Sequence, residues 1–93
     1  MKMPNIDFMR AFVEDFIDGK IPRWQFDLDF SHHLMSSRYR KMERESPIIA
    51  DCFACYLDEM GFEAGQPLPD DEYLELIEYR YSEFESALED GMF

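Results

Sequence analysis

In four stretches of this chain apolar residues recur every three or four positions, and in none do they alternate as a half-buried strand requires. That spacing returns side chains to one face of a helix, so the expected fold class is all-α. Capping and stop residues cut the pattern into segments. Met9, Phe12, Val13, Phe16 and Ile17 make a first helix over about residues 6–18, closed by Gly19, a residue free to turn left-handed. Pro22, suited to a first helical position, opens a second over about 22–39, in which Phe26, Phe30 and Leu34 are flanked by Trp24, Leu28 and Met35. The mostly basic stretch SSRYRKMERES that ends it reads as a frayed turn and loop. Ser46 before Pro47 joins a capping side chain to a helix-starting proline. The third helix follows over about 47–60 through Ile49, Cys52, Phe53, Tyr56, Leu57 and Met60, stopped by Gly61, and is expected to be the most buried. FEAGQPLP reads as a loop. Asp70 should cap the fourth helix, about 71–90, and Gly91 should end it.

Ninety-three residues suffice for one core and not for two, so residues 1–93 are expected to form a single domain. Short loops make successive helices neighbours, which predicts a small antiparallel four-helix bundle. An apolar share of 46%, rich in Phe and Tyr, argues against disorder. No apolar run approaches the roughly 20 residues of a membrane span, and the start MKMPNIDFMR is unlike a signal peptide, so a cytoplasmic protein is expected.

The net charge of −12 is unevenly placed. Residues 1–50 hold eight acids and eight bases, whereas residues 51–93 hold thirteen acids and Arg80 alone. Such a surface repels nucleic acid and anionic membranes and attracts basic partners. On a helical wheel of the last segment, Leu74, Ile77, Tyr81, Phe84 and Leu88 form an apolar stripe, and Asp71, Glu75, Glu78, Ser82, Glu85 and Glu89 form a second stripe beside it. Like charges three or four apart cost about 0.2–0.5 kcal/mol per pair. A helix selected for stability alone mixes its signs, so the second stripe points to a binding surface. Tyr79, close to those acids and off the apolar stripe, suits an interface anchor. Arg80 lies on neither stripe.

Several chemistries are disfavoured. The pair in CFAC sits mid-helix, where a thiol gains no activation, and lacks a second Cys or His pair for zinc, so core packing is expected. His32 and His33 point about 100° apart and cannot chelate one ion together, and Asp29-x-x-His32 is a single weak version of a motif that di-iron bundles need twice. No EF-hand, phosphate loop, nucleophile elbow or HExxH occurs. No metal, cofactor or catalytic residue is expected, and the chain is not read as an enzyme. Arg38, Arg40, Lys41 and Arg44 form a small basic patch expected to pair with the protein's own acids.

The stretch FIDGKIPRWQFDLDFSHHLMSSRYR resembles the first helical hairpin of colicin D immunity proteins and related self-protective bacterial immunity proteins, including four-helix immunity proteins of contact-dependent growth inhibition. A third helix, a Pro/Gly loop and an acidic last helix follow in the same order. The resemblance implies a bacteriocin-type immunity protein that binds the basic nuclease domain of a cognate toxin, a tRNase, and covers its active site with acids standing where RNA phosphates would lie. The corresponding positions are Asp71, Glu75, Glu78, Glu85 and Glu89, joined by Asp58, Glu59 and Glu63. It implies a protein partner, no direct contact with nucleic acid or membrane, and a monomer or weak dimer when free. The competing reading is a nucleic-acid mimic against another basic nuclease, such as a phage anti-restriction or anti-CRISPR protein.

Overall fold

Pro4 starts the first helix, α1 (Pro4–Ile17), with Asp7 in its first turn, where an acid complements the exposed amides. In this computed structural model, which describes residues 2–90, every regular element among the described residues is helical. The chain divides into two units, Met1–Ala50 and Asp51–Phe93. That boundary coincides with the break in charge, so the first unit is balanced in sign and the second carries the whole excess of −12.

In the first unit α1 ends as its sequence requires. Gly19 takes φ +78°, its amide bonds the Phe16 carbonyl at 3.1 Å, and the Lys20 amide bonds the Asp15 carbonyl at 2.8 Å. Helix α2 runs over Arg23–Met35, with Pro22 as its extended N-cap instead of its first helical residue. Phe26 and Phe30 are fully buried, and the Phe26 ring stacks on Phe12 at 5.2 Å and Phe16 at 4.2 Å between centroids. Leu34 is only half-buried, and Trp24, Leu28 and Met35 are exposed.

The expected helix over 22–39 is broken at Ser36, and the stretch expected to be a loop is a helix, α3 (Ser37–Glu45). Ser36 causes both changes. Its hydroxyl donates to the His33 carbonyl at 2.8 Å, closing α2, and accepts from the Arg38 amide at 3.2 Å, capping α3. Packing sustains so polar a helix: Met42 is fully buried, and the Tyr39 hydroxyl reaches the Ala50 carbonyl at 3.5 Å.

Glu45, at the end of α3, also supplies the cap that α1 lacks. Its carboxylate accepts the Asn5 amide at 2.9 Å, the Ile6 amide at 2.9 Å and the Asn5 side-chain amide at 2.6 Å. Burial pushes this carboxyl upward, but the bonds from Ile6 and Asn5 and the charge of Arg38 outweigh it and hold it below the usual carboxylate range. Arg38 in turn donates to the Asn5 side-chain oxygen at 3.1 Å and lies 3.8 Å over the Phe8 ring. His33, half-buried, meets the edges of Phe8 and Phe12; burial first, then the charge of Arg38, lowers its pKa.

Ser46 and Pro47 open α4 (Pro47–Phe53), the Ser46 hydroxyl accepting from the Ile49 amide at 3.2 Å. The helix does not stop at Gly61. It continues as a π-helix over Ala54–Glu63, with Ala64 and Gly65 still helical, so the predicted loop shrinks to residues 66–69. A ten-residue π-helix is long for a form usually seen as single turns. Closing i→i+5 puts more residues in each turn, which favours a step of four. Phe53, Leu57, Gly61 and Gly65 are accordingly the buried positions, while Cys52, Tyr56 and Met60 are half-buried.

Helix α5 (Asp70–Glu89) packs on the π-helical segment. Pro69 holds the N-cap position and Asp70 is the first helical residue, with no side-chain cap. Gly91 lies outside the described residues. The buried stripe is Tyr73, Ile77, Tyr81, Phe84 and Ala87; the expected end members Leu74 and Leu88 are half-buried. Glycine sets that rotation. A Cβ on Gly65 would stand 2.5 Å from Tyr73 Cδ1 and 2.7 Å from Cε1, so the fully buried Tyr73 ring fits only against a residue with no side chain. At Gly61 a Cβ would meet Ile77 Cδ1 and the Tyr56 carbonyl, each at 3.1 Å.

Candidate functional site

With Tyr73, Ile77 and Tyr81 turned inward, α5 presents its acids outward. Asp71, Glu75, Glu78 and Glu89 are exposed, and among the described residues none of these four side chains has an ion pair. A rise of 1.5 Å per residue spaces Asp71, Glu75 and Glu78 at steps of about 6 and 4.5 Å along the axis. Glu85 differs, being half-buried and engaged within the molecule. Tyr79 stands 59% exposed beside this row.

Arg80 is the one base of the second unit, and the fold consumes it locally. Its Nη1 binds Glu83 at 2.6 Å, its Nε donates to the Met60 carbonyl at 3.4 Å, and its guanidinium lies 5.2 Å from the Tyr79 ring centre. The Met60 bond ties α5 to the π-helical segment. Sequence reasoning missed this tie, because it depends on which carbonyl faces α5 and no residue type signals that. Glu83, left off the acidic stripe, is thereby the acid that Arg80 neutralises.

The acids of the π-helical segment form their own group. Asp58 is half-buried, and its carboxyl is pushed above the usual range by burial first, then by Glu63 and Glu59, both exposed. The charges acting on Asp58 come from this segment; no acid of α5 is among them. The nine residues singled out from sequence therefore fall into Asp58, Glu59 and Glu63 on one element, and Asp71, Glu75, Glu78, Tyr79, Glu85 and Glu89 on the other.

The basic stretch departs from its expectation. Arg38 is held by Asn5 and Phe8, whereas Arg40, Lys41 and Arg44 are exposed with no ion pair among the described residues. The cysteines do too: both are free, Cys55 is exposed with its Sγ 3.9 Å from Met60 Sδ, and Cys52 is half-buried, so neither packs in a core. Burial, with Cys55 and Asp51 adding to it, pushes the Cys52 thiol up and away from reactivity.

No three His, Cys, Asp or Glu side chains among the described residues are placed to share a metal ion. A shallow cavity of about 270 Å³ is lined by Tyr56, Ser82, Glu83, Ser86, Ala87 and Asp90, and its lining holds no histidine, lysine or cysteine. No helix among the described residues is long and apolar enough to cross a membrane.

No protein-family model matches this chain, and neither a curated protein nor a solved structure does. What the acidic face can bind thus follows from its own chemistry. Exposed carboxylates repeating at 4.5–6 Å on a stiff helix accept hydrogen bonds from Lys and Arg, and with a flat aromatic ring beside them they suit a basic protein surface.

Proposed function

We propose that this chain is an immunity protein that binds the basic nuclease domain of a bacterial toxin and covers its active site. The observation that carries the reading is the α5 row. Asp71, Glu75 and Glu78 stand exposed in a unit whose single base is spent on Glu83 and the Met60 carbonyl. Lys and Arg that a nuclease uses to hold phosphate would find carboxylates at comparable spacing here, and Tyr79 would supply the apolar anchor. The long-range field of thirteen acids against one base would raise the association rate by about 10–10³-fold, the advantage that a protein racing a toxin needs. A cation beside Asp58 favours its ionised form and so offsets the upward push that burial, Glu63 and Glu59 exert on this carboxyl. The proposal extends to a small antiparallel four-helix bundle as the fold type, in a cytoplasmic protein without catalytic activity that is a monomer or weak dimer when free.

Co-expression with a candidate RNase toxin domain tests this. The wild type should restore growth, and the triple variant Asp71→Lys, Glu75→Lys, Glu78→Lys should not, with far-UV circular dichroism unchanged because all three side chains are exposed. Full rescue by the triple variant would defeat the acidic-row mechanism. Failure of the wild type against RNase toxins, combined with tight, salt-sensitive binding to a phage-targeted nuclease, would shift the reading to the nucleic-acid mimic.

A further inference from the structure

The cavity of about 270 Å³ lies wholly within the second unit, between Tyr56 of the π-helical segment and the last two turns of α5. On α5, Ser82, Ser86 and Asp90 recur at steps of four, about 6 Å apart along the axis, with Glu83 and the buried Ala87 beside them. Ser82 stands one further step of four beyond Glu78, so the cavity adjoins the acidic row. Its lining is rich in acceptors that the fold leaves unused. Among the described residues the hydroxyls of Tyr56, Ser82 and Ser86 make no hydrogen bond and Asp90 makes no ion pair, while Glu83 commits one carboxylate oxygen to Arg80 and keeps the other. No base stands in the last turn of α5, where the carbonyls form the negative end of the helix dipole and the C-cap Asp90 adds a full charge.

We propose that this cavity seats one guanidinium group. Two carboxylates and a helix C-terminus call for a cation, and the three hydroxyls around them call for one that donates in several directions. An ammonium is a compact point charge with three donors, whereas the planar guanidinium offers five in a fork and is the cation more often found beside an aromatic side chain such as Tyr56. A metal ion fits less well, since no three His, Cys, Asp or Glu side chains among the described residues are placed to share one. The volume falls just under the roughly 300–1,000 Å³ of sites that enclose drug-sized ligands, so it admits a group of side-chain size. An arginine of the basic partner would bring such a group, and an Arg seated in a pocket is a typical interface anchor. That source rests on the immunity reading. The site itself does not, because a free guanidinium compound would fill it through the same bonds.

Titration of the full chain, without any toxin, with N-acetyl-arginine amide tests the site by NMR of the backbone amides. Saturable shifts should centre on Tyr56, Ser82, Ser86 and Asp90, with a dissociation constant on the order of 1 mM for so small a ligand. The lysine analogue should bind at least about fivefold more weakly. Ser86→Leu, at an exposed position, should preserve helicity, fill the cavity and weaken the arginine compound at least about tenfold. Asp90→Asn, which changes no volume, should weaken it at least about threefold. Shifts that fail to saturate, that spread along Asp71, Glu75 and Glu78, or that are equal for the two compounds overturn the proposal in favour of general charge attraction. Co-expression assigns the source. Against a toxin that the wild type neutralises, loss of rescue by Ser86→Leu puts a partner arginine in the cavity, and full rescue by that variant gives the site to a free guanidinium compound. A wild type that neutralises no toxin yet binds the arginine compound defeats the immunity reading and upholds the site.

Discussion

Replacing Gly65 with alanine separates two opposed expectations. Gly65 does not have positive φ, so alanine can adopt its backbone conformation, and from local propensity alone the change should stabilise the chain by about 0.4–1 kcal/mol through the unfolded state. The structure requires the opposite. The new methyl would lie 2.5 and 2.7 Å from two ring carbons of Tyr73 and 3.1 Å from Leu76 Cδ2. Tyr73 is fully buried, so its ring cannot swing into solvent, and relief demands that α5 move away from the end of the π-helical segment. Overpacking of this kind costs about 1–3 kcal/mol, which leaves a net loss of roughly 1–2 kcal/mol after the entropic gain. For a domain of this size that lowers Tm by about 5–15 °C. Thermal and urea unfolding followed by circular dichroism measure the loss, and hydrogen exchange of the α5 amides locates it. Tyr73→Leu removes the offending ring, so in that background Gly65→Ala should cost much less, a coupling that a double-mutant cycle reads directly. A Gly65→Ala variant as stable as the wild type, with α5 amides equally protected, would refute the close packing of Tyr73 on residue 65.

Two further substitutions probe charged groups that the fold places. Glu45→Ala removes the carboxylate that caps Asn5 and Ile6 and should cost about 1–3 kcal/mol in urea unfolding at neutral pH. Because the folded-state pKa of Glu45 is depressed below 4.5, its contribution is present above that value and lost as pH falls through the folded value, so the difference between variant and wild type should shrink in acid. Asp58 works in reverse. With a folded-state pKa raised above 3.8, it favours folding below that value and opposes it as pH rises, so Asp58→Asn should stabilise the protein at pH 7, by less than about 1 kcal/mol at so solvated a site, and show no gain in strong acid. Chemical denaturation across pH checks both signs.

Much of the helical content was legible because it rests on local chemistry. Gly19 as a left-handed stop and Ser46–Pro47 as a start each act within a few residues of themselves, so their roles could be read directly. Helix α3 was not legible. Its sequence offers few apolar residues, and it persists because Met42 is buried and Glu45 is bound to α1, both long-range facts. The π-helical continuation past Gly61 was hidden for the opposite reason: a glycine that signals a stop in isolation is held in a helix when a neighbouring helix needs the space that its missing side chain leaves.

The same division runs through the candidate site. Sequence alone determined that the charge excess lies beyond residue 50 and that Asp71, Glu75 and Glu78 share a side of α5, since both follow from residue identity and helical period. Tertiary structure decided the rest. It turned Tyr73 inward over Gly65, committed Arg80 to Glu83 and the Met60 carbonyl, gathered Asp58 with Glu59 and Glu63, and left the flanking Trp24, Leu28 and Met35 exposed while Phe26 and Phe30 of the periodic stripe were buried. Periodicity fixes which side chains lie together on a helix; only the neighbours that pack against it determine which of those sets meets water.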